Sequence, residues 1–158
     1  MLERVLFVVT IAGGATLGVF WPLSKSETPA ATSALEVTLD RSADKHFYAI
    51  ANVNGRDIRF LVDTGASETA LTEDDARKAG ITIDPQQYEL LGQGASGIVR
   101  GQYIELKTIE LGSIHEENAK AVVVQGATVS LLGQPFLESI DEIVIRKGEM
   151  VLRDKKDT

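Results

Sequence analysis

Cysteine is absent from the 158-residue chain, which removes disulfides, thiolate metal sites and a cysteine nucleophile together. Histidine is nearly absent. His46 and His115 lie far apart in sequence without metal-type partners nearby, so both read as solvated strand or loop residues. Neither a metal centre nor a cofactor is expected. Positive charge is in deficit: Lys and Arg total 16 against 23 Asp and Glu, a formal charge of −7. That balance disfavours nucleic acid or an anionic membrane surface as the main partner.

Charge is missing altogether from residues 5–23, VLFVVTIAGGATLGVFWPL, which Arg4 and Lys25 bracket. An uncharged run of about 20 residues is the length a helix needs to cross hydrocarbon. Trp21 sits near one end, where interfacial aromatics are enriched. A cleaved signal peptide is the rival reading, but its apolar region is usually shorter, and only Ala30, Ala31 and Ala34 offer weak cleavage sites. The expected organisation is a short tail at 1–4, a transmembrane anchor or uncleaved signal at 5–23, and a flexible linker at 24–34. A folded domain at 35–153 and a charged tail at 154–158 follow. The simplest topology is single-pass, with the folded domain on the exported, periplasmic side.

The folded part shows the period of strands. Residues 47–53 and 56–62, FYAIANV and RDIRFLV, flank Asn54-Gly55, a strong hairpin signal. Ile58, Phe60 and Val62 alternate with Arg59 and Leu61, so one face is expected to be mostly buried. One short helix follows: Thr72 can cap it, Glu73, Asp74 and Asp75 suit the positive end of its dipole, and Gly80 can stop it. Strand signals return at 103–111, 121–124, 143–145 and 150–152, the last two joined by Lys147-Gly148. The prediction is a mainly β domain of sequential hairpins without a βαβ rhythm.

The stretch GQGASGIV, residues 92–99, has the spacing of a phosphate-binding glycine loop. Such a loop must lie between a strand and a helix whose N-terminus takes the phosphate. After Gly97 comes IVRGQYIELKTIEL, which is strand-like, so no helix is expected there. The chain also lacks the strand lysine, H-R-D and D-F-G of a kinase. What is left is a β hairpin with a glycine-rich tip.

Chemistry points to FLVDTGASETA, residues 60–70. An apolar strand runs into Asp63, and an Asp at the end of a buried strand is costly unless it is hydrogen-bonded. Gly65 lets the chain turn sharply and brings backbone N–H groups near the carboxylate, while Thr64 and Ser67 supply hydroxyls. An Asp that merely closes a turn is the bland alternative. The second piece is VSLLGQPFL, residues 129–137, an apolar run ending in Gly133, then a short helix or turn containing Pro135.

Taken in order, strand–DTGAS, helix, glycine-tipped hairpin and SLLGQPFL resemble the retropepsin-like aspartic proteases. The resemblance runs over about residues 35–153 and is most specific at 59–67, 71–81 and 130–137. In its N-terminal hydrophobic segment the chain also resembles the single-domain, membrane-anchored members found in proteobacteria. The resemblance implies a closed β barrel or sandwich with one short helix and a flap hairpin, preceded here by a transmembrane helix. It implies that Asp63 is the catalytic aspartate. Thr64 would bond across to its symmetry mate, Gly65 would hold the carboxylate and water through its backbone, and Ser67 would bond the carboxylate from outside. Ala66 belongs to the same active-site loop, and Leu131, Leu132 and Gly133 would pack beneath it. The hairpin at 92–101 would be the flap, with Gly92, Gly94, Ala95, Ser96, Gly97, Ile98 and Val99 facing substrate.

Aspartic proteolysis needs two carboxylates sharing one proton. The chain has one D-T-G and no second D-[ST]-G. The other pairs and singles of Asp, such as Asp74-Asp75, Asp141 and Asp154, read as surface residues. The expected enzyme is therefore a homodimeric endopeptidase with one Asp63 from each copy, acting on polypeptide substrates with apolar residues near the scissile bond. By family analogy the terminal strands at 36–39 and 150–153 would form dimer contacts. Two alternatives stay open at this stage: a non-catalytic peptide- or partner-binding module on the same fold, and a tethered structural β domain in which Asp63 caps a turn.

Overall fold

The computed structural model describes residues 35–94 and 97–154. The expected tail, anchor and linker at 1–34, the flap residues Ala95 and Ser96, and residues 155–158 of the charged tail lie outside these. Among the described residues no helix is long and apolar enough to cross a membrane.

In chain order the elements are β1 (Leu35–Asp40), β2 (Tyr48–Val53), β3 (Arg56–Val62), β4 (Ala70–Thr72) and α1 (Glu73–Lys78). A single 3-10 turn (Pro85–Gln87) precedes β5 (Glu89–Gly94), β6 (Gly97–Leu111) and β7 (Ile114–Val124). Then come β8 (Ser130–Leu132), α2 (Gln134–Leu137), β9 (Glu142–Arg146) and β10 (Glu149–Asp154).

Six strands close into a barrel in the order β2-β3-β8-β4-β7-β6, and Asn52 and Val53 of β2 pair back to Glu110 and Ile109 of β6. Closure leaves no open edge among those strands. The barrel is filled by the inward side of the alternation. Ala49, Ala51 and Val53 of β2, Ile58 and Phe60 of β3, Leu106 and Ile109 of β6, and Leu132 of β8 are buried. The charged partners Arg59, Lys107 and Glu110 stay outside. Burying a Phe or Ile side chain stabilises by about 1.5–3 kcal/mol each, so this interior carries the fold.

Local signals explain the turns. Asn54 and Gly55 both have positive φ, 51° and 82°, which is the backbone twist a two-residue hairpin between β2 and β3 needs. Lys147 and Gly148 repeat the device at 45° and 95° between β9 and β10. Helix α1 starts where expected. Thr72 Oγ1 accepts the Asp75 N–H at 3.1 Å, and the three acids fill the first turn. It ends at Gly80, whose φ is +73°, with Gly80 N–H bonded to Arg77 O and Ile81 N–H to Ala76 O.

Three features depart from the sequence reading. The strands are longer and two pairings are parallel: β3 with β8 (Phe60 opposite Ser130) and β4 with β7 (Ala70 opposite Val122). Hairpin signals are local and cannot register pairings so distant in sequence. The segment 70–72, expected at the helix start, is the short strand β4, held between β8 and β7. The short helix or turn expected around Pro135 is the helix α2, with Pro135 in its first turn, where no N–H bond is lost. Finally, Asp75 is not a plain surface residue. Its Oδ2 accepts the hydroxyl of fully buried Ser130 at 2.6 Å, and Ser130 Oγ accepts the Thr72 N–H at 3.1 Å. Asp74 is exposed and pairs with Arg77 at 2.8 Å.

A second, three-stranded sheet in the order β1-β10-β9 is formed by the chain ends of the domain. Leu39, Met150 and Leu152 bury one face of it. On the other, Arg153 bridges Glu36 at 2.9 Å and Glu142 at 2.8 Å across all three strands. Segments 36–39 and 150–153 thus pair with each other inside one chain.

Candidate active site

Asp63 follows the last residue of β3 and is half-buried. The strand has to stop there, because Asp63 N–H turns aside to Leu132 O (3.1 Å) and Ala66 N–H closes a turn on Asp63 O (3.2 Å). Gly65 N–H donates to Asp63 Oδ1 at 2.9 Å. The Gly65 N–H thus answers part of the cost of placing a carboxylate at the end of an apolar strand. Oδ2 accepts no bond from the described residues, which leaves it free for a water or a second acid.

The loop after Asp63 rests on the chain that leaves β8. Gln134 N–H donates to Ala66 O at 2.8 Å. A Cβ at Gly133 would stand 2.2 Å from Glu68 O and 2.9 Å from Ala66 O. Only a residue without Cβ permits that approach. Leu132, fully buried, fills the space behind it, while Leu131 lines the cavity in front. The sequence reading joined these two segments, and the structure brings them into direct contact.

The hairpin β5–β6 stands over the same region. Gln93 pairs with Ile98 and Gly94 with Gly97, so residues 92–94 and 97–99 are paired strand, and the chain continues as strand and not as a helix. Gly97 has a φ of +118°, and Ile98 is 76% exposed. The ladder shifts between Leu90 and Gly92, leaving Leu91 as the extra residue of a bulge. Gly101, at the hairpin's base, is no hinge. A Cβ there would stand 2.0 Å from Val123 O, so it is a glycine of close strand approach.

Between the loop and the hairpin lies an open cavity of about 250 Å³. Of the predicted site residues, Gly65, Ala66, Ser67, Gly92, Gly94 and Val99 line it. Asp63 and Thr64 adjoin it through Gly65 but are not part of its walls. Thr64 and Ser67 are exposed. Neither hydroxyl bonds Asp63 among the described residues; the backbone contact expected of Gly65 is present. Five wall residues escaped sequence reasoning: Glu68, Ala70, Leu91, Val122 and Val124. The two valines were legible as strand, but their facing depends on the parallel β4–β7 register. Glu68 stood in view within FLVDTGASETA with nothing to separate it from a surface acid.

The hairpin is tied at its root. Tyr88, buried just before β5, donates its hydroxyl to Glu73 Oε1 of α1 at 2.5 Å, and Arg100 of β6 donates to Tyr88 O at 3.0 Å. Burial, and then the bond to Glu73, push the Tyr88 phenol up to about 12.

A closed β barrel with one Asp-Thr-Gly loop, a Leu-Leu-Gly support and one covering hairpin has the architecture of an aspartic-protease domain. The comparisons agree. Residues 49–139 match the family model of the gag-polyprotein putative aspartyl protease. An uncharacterized protein in the cobV 5′ region of a Sinorhizobium species is 36% identical over 121 residues, 75% of this chain and 52% of that protein. An uncharacterized protein of Rickettsia prowazekii is 35% identical over 77% of this chain and 52% of its own length. The chain therefore spans about half the length of the curated relatives it matches. Among solved structures, a retropepsin-like aspartic protease from Rickettsia conorii superposes with a TM-score of 0.64 at 34% identity, covering 77% of this chain and 91% of that one. The EIAV protease bound to the inhibitor HBY-793 shares the fold, with a TM-score of 0.54 at 20% identity over 66% and 97%. The chain belongs to the retropepsin-like aspartic protease family.

Proposed function

We propose that the chain is an aspartic endopeptidase whose active site is completed by a second copy. The observation that carries this is the position of Asp63: at the end of β3, held by the Gly65 N–H at 2.9 Å, beside a cavity covered by a β hairpin. One chain supplies one such carboxylate, and Asp63 of a two-fold-related partner supplies the other. Two close carboxylates cannot both ionise easily, so the pair holds one shared proton. The ionised member takes a proton from water as that water attacks the peptide carbonyl. The protonated member donates to the carbonyl oxygen. Thr64 braces the two loops across the axis. The substrate lies extended under the hairpins and pairs with them as an added strand.

The uncharged run at 5–23 supports a membrane anchor with the catalytic domain on the exported side. An anchor confines copies to one plane and raises their effective concentration, which favours the dimer.

The test is cleavage of a diverse peptide library by the full chain, beside Asp63→Asn, over a range of enzyme concentrations. Cleavage that Asp63→Asn abolishes, with a rate rising faster than linearly in enzyme, is the expected result. Cleavage indifferent to Asp63 refutes the reading. Peptide binding without cleavage in both proteins points to a binding module on this fold.

A further inference from the structure

The walls of the cavity are chemically lopsided. Leu91, Val99, Val122, Val124 and Leu131 make most of it apolar. Among its lining residues there is one ionisable side chain, Glu68, and no cation. Glu68 is half-buried and makes no hydrogen bond or ion pair among the described residues. Its backbone cannot drift, because its carbonyl is wedged against Gly133. An acid without a partner among the described residues, on a mainly apolar cleft, is available to a cation on an occupant.

Resting on the protease reading above, we propose that Glu68 makes the enzyme select peptides carrying a lysine or arginine close to the scissile bond. Such a side chain matches both parts of the cavity. Its methylene stem lies along the valine and leucine walls, and its charged head meets the carboxylate. A glutamate or aspartate at the same substrate position is repelled. The field of the whole molecule acts the same way, since the chain carries a formal charge of −7 and draws basic peptides towards it. With two copies forming one cleft, two Glu68 carboxylates lie on opposite sides of the scissile bond. The preferred segment then carries a basic residue on each side, with apolar residues nearest the bond.

The experiment uses the full chain and a peptide set in which each position flanking the bond is in turn lysine, norleucine or glutamate. The readout is the ratio of kcat/KM for the lysine peptide to that for the norleucine peptide. Wild type should give a ratio of about two to five at low salt, the size of a half-exposed ion pair. The ratio should fall as salt is raised. Glu68→Gln should bring it near one, Glu68→Asp should keep part of it, and Glu68→Lys should move the preference to the glutamate peptide. A wild-type ratio near one at every position, or one that salt does not change, overturns the proposal without any variant. So does a ratio that survives Glu68→Gln. Failure of the underlying reading looks different: cleavage then persists in Asp63→Asn, or wild type cleaves no peptide of the set.

Discussion

Gly133 and Glu68 touch backbone to backbone: the position a Cβ would take on Gly133 lies 2.2 Å from the Glu68 carbonyl oxygen. The contact is made where the chain leaves β8, one residue past buried Leu132, whose carbonyl accepts the Asp63 N–H. Two segments about 70 residues apart in sequence are thereby fitted as one piece, and the position of Asp63 depends on the fit.

Gly133→Ala is expected to force these backbones apart. Overpacking a tight site costs about 1–3 kcal/mol, and with backbone as the obstacle the upper end applies. The melting midpoint should fall by roughly 10 °C for a domain of this size. Cleavage should fall further than stability does, because Asp63 moves with the loop. Thermal unfolding beside a peptide assay reads both, and a midpoint unchanged by the methyl group would contradict the contact.

Ser130→Ala removes the link between β8 and α1. It leaves the Thr72 N–H without its acceptor and half-buried Asp75 without its donor. Stranding a buried polar group costs about 1–3 kcal/mol. Asp75→Asn keeps an acceptor oxygen for the Ser130 hydroxyl and should cost less. Urea unfolding of the two variants ranks them, and an Asp75→Asn protein weaker than Ser130→Ala would show that the charge, not the bond, matters.

Much of this was legible in the sequence. DTGAS, LLG and the glycine hairpin are backbone requirements: a carboxylate needs a donor, a close approach needs no Cβ, and a tip needs positive φ. Requirements of that kind leave residue types behind. The hairpin turns at Asn54-Gly55 and Lys147-Gly148 and the Thr72 and Gly80 caps were legible for the same reason. The parallel pairings left no local trace, and with them went the facing of Val122 and Val124 and the strand at 70–72. Asp75 and Glu68 illustrate the remaining gap. An acid beside other acids, like Asp75, or between small polar residues, like Glu68, reads as solvent-facing, and only the fold shows that one accepts from a buried serine and the other lines a cleft.

Tyr88 gives the hairpin root a signature at alkaline pH. Its folded pKa is raised to about 12 from the ordinary 10, so the folded state holds its proton longer than the unfolded one. The stability tied to that proton is fully present below pH 10 and is lost as pH rises through about 12. Ultraviolet difference titration should therefore show a late phenol that Tyr88→Phe removes. Glu73→Gln should lower that pKa, since the carboxylate that resists a phenolate is gone. A spectrum in which Tyr88→Phe leaves the late phase intact would place the shifted group elsewhere. If the hairpin holds substrate, as proposed, Tyr88→Phe should act through KM more than kcat in the peptide assay.

If the site is shared between two copies, as proposed, Asp63→Asn should be a poison as well as a dead enzyme. Mixing equal amounts of wild type and Asp63→Asn and letting subunits exchange gives random pairs, of which about a quarter carry two aspartates. Twice as many dimers are present, so the activity of a fixed amount of wild type should fall to about half. A larger excess of the variant should suppress it towards zero. The mixed dimer retains one carboxylate but cannot share a proton between two, and so lacks the acid–base pair the reaction uses. If the domain worked as a monomer, added Asp63→Asn protein would leave the rate per wild-type chain unchanged. The three-stranded sheet bears on the same experiment. Segments 36–39 and 150–153 already pair with each other within one chain, so a partner would have to add to the free edge of β1 or β9, or cover the face that carries Arg153. Arg153→Glu would set three acids side by side on that face. If the face lies in the dimer contact, this change should lower the rate most at low enzyme concentration and spare it at high concentration. An equal loss at all concentrations would place the contact on another surface.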